Sequence, residues 1–173
     1  MRRHFKKHIS DAYSYHSEKY VSVLEPVLAP MAKEITQIVG LSSWELTLDL
    51  ATGTGLIARE LARLDRSVIG VDLSPGILRI ADAQSRREIQ FVSGDAHELP
   101  FKDRCFDLVT CVGSASHTFL NVMTALGEIH KLNFSYTSSA IIPQVHGFST
   151  WLAAIEVFSR NERLLRNRVL WGH

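Results

Sequence analysis

From Leu46 onward the chain alternates between short apolar runs and amphipathic runs, and this alternation limits its fold more than any other feature. The apolar runs span Leu46 to Ala51, Val68 to Val71, Ile89 to Val92 and Phe106 to Val112, a length and composition that suit buried strands. Helical patterns lie between the first three, from Leu56 to Arg63 and from Gly76 to Ser85, and another runs from Phe119 to Leu132. Apolar strands alternating with helices imply a parallel sheet covered on both faces, so a doubly wound, Rossmann-like α/β fold is expected. Ligands bind such sheets beyond the carboxyl ends of the strands, near the point where strand order reverses. The unusual residues fall there: Thr52 to Gly55, Asp72 to Ser74, Gly94 to Ala96, and Cys111 to Ser114.

The first forty residues look helical. Ser17 can cap a turn carrying Tyr20, Val21, Val23 and Leu24, and Pro30 can open a second helix ended by Gly40. The 173 residues suit one domain, in which residues 1–45 form a helical cover, 46–132 the core and 133–173 a tail. Hydrophobic residues at 46% and charged residues at 21% are ordinary for a soluble globular protein. With 19 Lys and Arg against 18 Asp and Glu, the net charge of +1 leaves no electrostatic footprint for nucleic acid. The basic cluster "MRRHFKKH" reads either as a solvated terminus or as an arm for an anionic surface or substrate. Cys105 and Cys111 match no zinc or redox spacing and no secretory apolar region opens the chain, so a reduced, cytoplasmic setting is expected. The longest uncharged stretch, Leu132 to Ile155, contains Asn133, Pro143, Gln144 and Gly147, which argues against a transmembrane helix.

The stretch "LTLDLATGTGLIARELA", Leu46 to Ala62, carries a strand, a glycine turn and a helix. Gly53 and Gly55 allow a tight bend and close approach of a ligand, and the helix start beyond them presents free N–H groups. A phosphate or a carboxylate would suit those groups, and the turn also satisfies the loose G-x-G-x-x-G/A dinucleotide fingerprint. Asp49 bears on the choice, because a carboxylate at this strand end repels a pyrophosphate and favours a ligand bearing an ammonium or sulfonium. Its alternative role is to brace the loop. Asp72 ends the next apolar strand, where a carboxylate can accept both hydroxyls of a ribose. After it, Ser74 reads as a helix N-cap and Pro75 as the first helical residue. Asp95 can accept from an exocyclic amine while the Ala96 N–H donates to a ring nitrogen, a pairing that suits adenine, or it can cap a short turn before Pro100. Asp107 reads as a structural residue at a strand entrance. The histidines form no metal set, with His97 and His117 on different loops, and no metal site is expected.

The strings "LDLATGTG", "VIGVDLSPGIL", "IQFVSGDAHELPFKDRCFDLVTC" and "ALGEIHKL", in this order, resemble the class I methyltransferases that use S-adenosylmethionine. The type 11 group, which includes the ubiquinone and menaquinone methyltransferases, is the most similar. The likeness covers about half the chain, Leu46 to Leu132, and implies S-adenosyl-L-methionine as cofactor, with S-adenosyl-L-homocysteine as product. It places Asp49 with Thr52, Gly53, Thr54 and Gly55 at the methionine end, Asp72 at the ribose, and Asp95 with Ala96 at the adenine. Ala51, Leu73, Gly94, Cys111 and Val112 are the further cofactor-binding candidates. Ala51 stands where many members have the first glycine of the loop. Tyr13, Tyr15 and Tyr20 lie in a segment that covers the cofactor in relatives, and Tyr15 is the candidate for ligand contact, with core packing an equal explanation. His117 is the candidate base for a small-molecule acceptor, against a solvated loop histidine.

Relatives follow "EIHKL" with a turn into a fifth strand and then an antiparallel hairpin. Here the tail offers one short strand, Ser139 to Ile142, and one amphipathic helix sharing Trp151, Leu152, Ile155, Phe158 and Leu165, with no room for the last two strands. A sheet shortened in this way exposes an apolar edge that favours a homodimer. A small-molecule methyltransferase is the leading expectation. Behind it stand a protein that binds the cofactor without turnover and, third, a nicotinamide-dependent oxidoreductase.

Overall fold

The computed structural model describes residues 2–39, 45–64, 66–85, 89–112, 122–132, 137–141 and 154–159. Two helices lead the chain, α1 (Arg2–Lys19) and α2 (Glu25–Val39), joined without a loop by a π-helical turn over Tyr20–Leu24. In that turn the Glu25 N–H donates to the Tyr20 carbonyl, a one-residue-longer reach than in an α-helix. The extra residue rotates α2 relative to α1. Ser17 lies inside α1 rather than at a helix start, its hydroxyl donating to the Ser14 carbonyl at 2.9 Å. Pro30 likewise sits within α2 instead of opening it. The carbonyl that loses its partner there is that of Pro26, and both prolines are exposed, so water can replace the missing N–H. The opposite face compensates: Met31, Ala32, Ile35 and Val39 are all buried.

The sheet begins with four parallel strands in the order β3-β2-β1-β4, where β1 is Leu46–Leu50, β2 Ser67–Asp72, β3 Gln90–Ser93 and β4 Leu108–Val112. Helix α3 (Leu56–Ala62) follows β1, α4 (Pro75–Gln84) follows β2, and α5 (Val122–Leu132) follows β4. Each strand and helix overlaps the corresponding sequence pattern. Alternate residues of the strands feed two apolar layers, as a period of two requires. One layer joins Val68, Ile89 and Leu108 to Met31, Ile35, Ile57 and Leu61, and the other joins Leu48, Leu50, Val71 and Val109 to Ala125, Ile129 and Leu132. Covering both faces makes the sheet a doubly wound one. Asp107 accepts the Glu45 and Leu46 N–H groups at 3.1 and 3.0 Å and so fixes the entrance of β1, in line with the structural role expected for it.

The tail departs from expectation. Residues Ala154–Ser159 form a strand, β6, antiparallel to β4, and β5 (Thr137–Ile141) pairs antiparallel with β6, so the six-stranded order is β3-β2-β1-β4-β6-β5. The amphipathic helix expected to share Trp151, Ile155 and Phe158 therefore gives way, over 154–159, to a strand. The apolar spacing fits a helical face, but the β-branched Ile155 and Val157 also alternate with Glu156. The unpaired N–H and C=O groups of β4 select the second pattern. The tail thus adds two strands rather than one, and the edge of β4 is covered. Among the described residues no helix is long and apolar enough to cross a membrane.

Candidate functional site

Strand order reverses between β1 and β4, and the loops after β1, β2 and β3 are stitched together at the carboxyl edge beside this point. The Thr52 N–H donates to the Val71 carbonyl and the Gly94 N–H to the Asp72 carbonyl, both at 3.0 Å. Three residues of the first loop have positive φ: Ala51 at 56°, Gly53 at 57° and Gly55 at 78°. Gly55 needs its missing side chain as well as its φ, since a Cβ there would stand 2.9 Å from the Phe91 ring. Ala51 holds a left-handed conformation that costs an L-residue roughly 1–2 kcal/mol. A glycine at this position would relieve it.

Asp72 is the hinge of the site. Its Oδ2 accepts the Gly53 N–H at 3.0 Å and its Oδ1 the Ser74 N–H at 2.9 Å, so the carboxylate links the glycine turn to the start of α4. Burial pushes its pKa up, and the N–H groups of Ser74, Gly53 and Leu73 act against that rise. Three N–H donors on about four lone-pair sites leave the carboxylate able to accept a further donor. Ser74 caps α4, accepting the Ile77 N–H at 3.4 Å, with Pro75 as the first helical residue.

These groups open on a cavity of about 960 Å³, its open solvent mouth included. Leu50, Ala51, Gly53, Asp72, Leu73, Gly94, Asp95, Ala96 and Val112 line it from the sheet side. A smaller cavity of about 400 Å³ adjoins it, lined by Asp49, Thr52, Thr54 and Ile57 among others. Tyr20, Leu28, Met31, Ala51 and Val112 line both and mark where they meet.

Asp49 lies at the floor, 1% exposed. Its oxygens accept the hydroxyls of Thr52 at 2.7 Å and Thr110 at 2.8 Å. Burial raises its pKa to about 6 despite those bonds, and the nearby Asp72 charge adds to the rise. Asp49 therefore braces the loop, the alternative weighed for it in the sequence, while also facing the smaller cavity. Asp95 is different. Burial pushes its pKa up, but Lys6 and His97 outweigh that and hold it below the ordinary carboxylate value. The Lys6 ammonium pairs with Oδ2, and Oδ1 accepts the His97 backbone N–H at 3.0 Å and meets the His97 ring Nδ1 at 2.7 Å.

Two expected residues stand elsewhere. Tyr15 is 84% exposed, stacked edge-on against the His16 ring, and lines neither cavity; Tyr13 and Tyr20 take its place. Helical geometry explains this, because Tyr13 and Tyr20 are two turns apart on one face while Tyr15 points away. Cys111 is fully buried in the α5-side core, and its neighbour Val112 faces the cavities. Thr54 turns its hydroxyl to Glu25 of α2, whose carboxylate also pairs with Arg59 at 3.0 Å. His117 falls outside the described residues.

The sequence pattern did not mark Ser10, Leu28 or Met31, and it weighed Lys6 only within the basic cluster and His97 only as a metal ligand, yet all five line the larger cavity. Their available signal was the i, i+4 spacing of Lys6, Ser10 and Ser14 on one face of α1. Among the described residues no group of three or more His, Cys, Asp or Glu could hold a metal ion.

Comparison with known proteins follows the same core. Residues 48–133 match a family model described as "Methyltransferase domain". The demethylmenaquinone methyltransferase of Thermotoga maritima is 37% identical over 112 residues, covering 61% of this chain and 48% of the relative. The erythromycin 3''-O-methyltransferase of Saccharopolyspora erythraea is 35% identical over 105 residues, covering 54% and 33%. A solved structure from Methanococcus maripaludis, assigned as an S-adenosyl-L-methionine-dependent methyltransferase, superposes with a TM-score of 0.60 at 27% identity, covering 71% of this chain and 58% of that one. The matches span about half the length of these curated relatives, or less.

Proposed function

We propose, from the premise that this chain belongs to the methyltransferase-domain family through residues 48–133, that it binds S-adenosyl-L-methionine in the paired cavities and transfers a methyl group to a small-molecule acceptor. The observation that carries this reading is the setting of Asp72. Its carboxylate is fixed by two backbone N–H groups at the rim of a cavity that also contains Asp95 and Ala96. A carboxylate held in this way suits a ribose diol, and Asp95 with the Ala96 N–H suits the amine and ring nitrogen of adenine.

The residues present fit the cofactor in charge as well as shape. Two carboxylates, Asp49 and Asp72, stand near the glycine turn with pKa values raised by burial, which penalises their charge. A sulfonium or ammonium ligand lowers that cost, whereas a pyrophosphate adds to it, which disfavours a nicotinamide dinucleotide. S-adenosyl-L-methionine supplies, when bound, a methyl group activated by its sulfonium. The chain's own contribution is to bind, align and exclude water. Leu28, Met31 and Val112 give the meeting point of the two cavities an apolar lining, and Tyr20 adds a phenol whose pKa burial pushes up to about 12, so it stays protonated. Positioning of this kind accounts for about 7–11 kcal/mol of barrier reduction in favourable cases. An acid–base pair is not required, and His117 is kept as the candidate base where the acceptor needs one.

With this reading go a cytoplasmic setting and a homodimer through a sheet edge, which falls on β5 or β3 now that β6 covers β4. A methylation assay over quinols, phenols and amines, run beside calorimetry with the donor and its demethylated product, tests the proposal. Labelled product supports turnover. Heat of binding without product on any acceptor supports a cofactor-binding protein instead, and heat only with reduced nicotinamide dinucleotide overturns both.

A further inference from the structure

Helix α1 meets the rim of the larger cavity at three points one helical turn apart. The Lys6 ammonium pairs with Asp95 Oδ2, the Ser10 hydroxyl donates to the Leu73 carbonyl at 3.2 Å, and the Ser14 and Ser74 hydroxyls are 2.7 Å apart. Behind these contacts, Gly76 lets α1 settle onto α4, for a Cβ there would stand 2.3 Å from Ser14 Oγ. The helix is therefore seated across the rim. At its seat Asp95 has no oxygen left unpartnered, with Oδ2 on Lys6 and Oδ1 on His97.

That occupancy conflicts with the role of Asp95 as acceptor for a ligand amine, a role that rests on the function proposed above. A cationic Nζ and a neutral exocyclic amine are both donors, and an amine taking the second lone pair of Oδ2 would set its hydrogens against the Lys6 ammonium at the cavity wall. Lys6 itself lines the cavity. We propose that Lys6 is a built-in competitor for the amine-recognition position of Asp95, so that α1 latches the empty site and cofactor entry requires the Lys6–Asp95 pair to open. The pair is a partly exposed one, with side chains 29% and 24% accessible, so the latch is weak and sensitive to salt. The two serine contacts are neutral and keep the helix in register when the ion pair breaks.

The test uses S-adenosyl-L-homocysteine, a zwitterion without the sulfonium charge, titrated calorimetrically into the full chain and into Lys6→Met at 50 mM and 500 mM sodium chloride. Lys6→Met is expected to bind roughly two- to fivefold more tightly than the parent at low salt. Added salt should tighten the parent and leave the variant nearly unchanged. Amide hydrogen exchange over residues 2–19 without ligand should run faster in the variant, a readout independent of affinity. If the parent binds and Lys6→Met binds equally or more weakly, Lys6 is not a competitor and the inference falls alone. Binding by neither protein overturns the cofactor reading and this inference with it.

Discussion

Asp49 and Thr110 are register partners across the β1–β4 junction, and the Thr110 hydroxyl donates to Asp49 Oδ1 at 2.8 Å. With Thr52 on the other oxygen, a carboxylate is sealed beneath the glycine turn at the point where strand order reverses. Its folded pKa, about 6, exceeds the ordinary value of 3.8, so the folded state holds more protons between those values. The contribution of Asp49 to stability therefore falls as pH rises from about 4 through 6 and levels off above, by up to about 3 kcal/mol. Asp49→Asn should remove this slope. Urea unfolding at pH 4.5 and 7.5 is expected to show the variant gaining on the parent as pH rises, and parallel curves would show that Asp49 does not titrate there.

Asp72 joins the glycine turn to α4 and faces the cavity, so its loss bears on both binding and folding. Asp72→Asn should weaken S-adenosyl-L-homocysteine binding about 10- to 100-fold, the worth of a charged hydrogen bond or two. The asparagine NH2 cannot accept the Gly53 or Ser74 N–H in turn, so the melting temperature should also fall, by several degrees, offset in part by removing a charge whose pKa burial raises. Calorimetry and thermal unfolding on one preparation read both.

Ala51 is strained at φ 56° with no glycine to absorb it. Ala51→Gly should stabilise the protein by about 0.5–1 kcal/mol, the relief of left-handed strain less the extra freedom glycine has when unfolded. Chemical denaturation checks the sign, and a destabilised variant would mean that the alanine methyl packs more usefully than its backbone suffers.

Gly76 sets the distance between α1 and α4. Gly76→Ala places a methyl within 2.8 Å of the Ser14 Cα, backbone that cannot rotate away, so α1 should lift while the sheet and its two apolar layers remain. Limited proteolysis is expected to release the N-terminal helix early from the variant, with far-UV circular dichroism otherwise close to the parent's.

The core was legible in the sequence because its signals are local. Glycines at positive φ, a serine–proline helix start and carboxylates at strand ends announce themselves within a few residues, as at Gly53, Ser74 and Asp72. The cover was less legible. The face that α1 turns to the site carries Lys6, Ser10 and Ser14, so a search for apolar periodicity passes over it, and Tyr15 is separated from Tyr13 only by which side of the helix it occupies. Pro30 misled for a related reason, since burial of Met31 and Ile35 outweighs a lost hydrogen bond. In the tail, the residues from Ala154 to Ser159 satisfy both periods, and only pairing with β4, more than forty residues away in the chain, decides between them.

The central claim is that the ends of β1, β2 and β3 converge on a single adenosyl ligand. Isothermal calorimetry at neutral pH, with S-adenosyl-L-methionine and S-adenosyl-L-homocysteine in turn, tests it most directly. The predicted result is one-to-one binding of both, with either ligand raising the melting temperature. No heat and no thermal shift with either would contradict it.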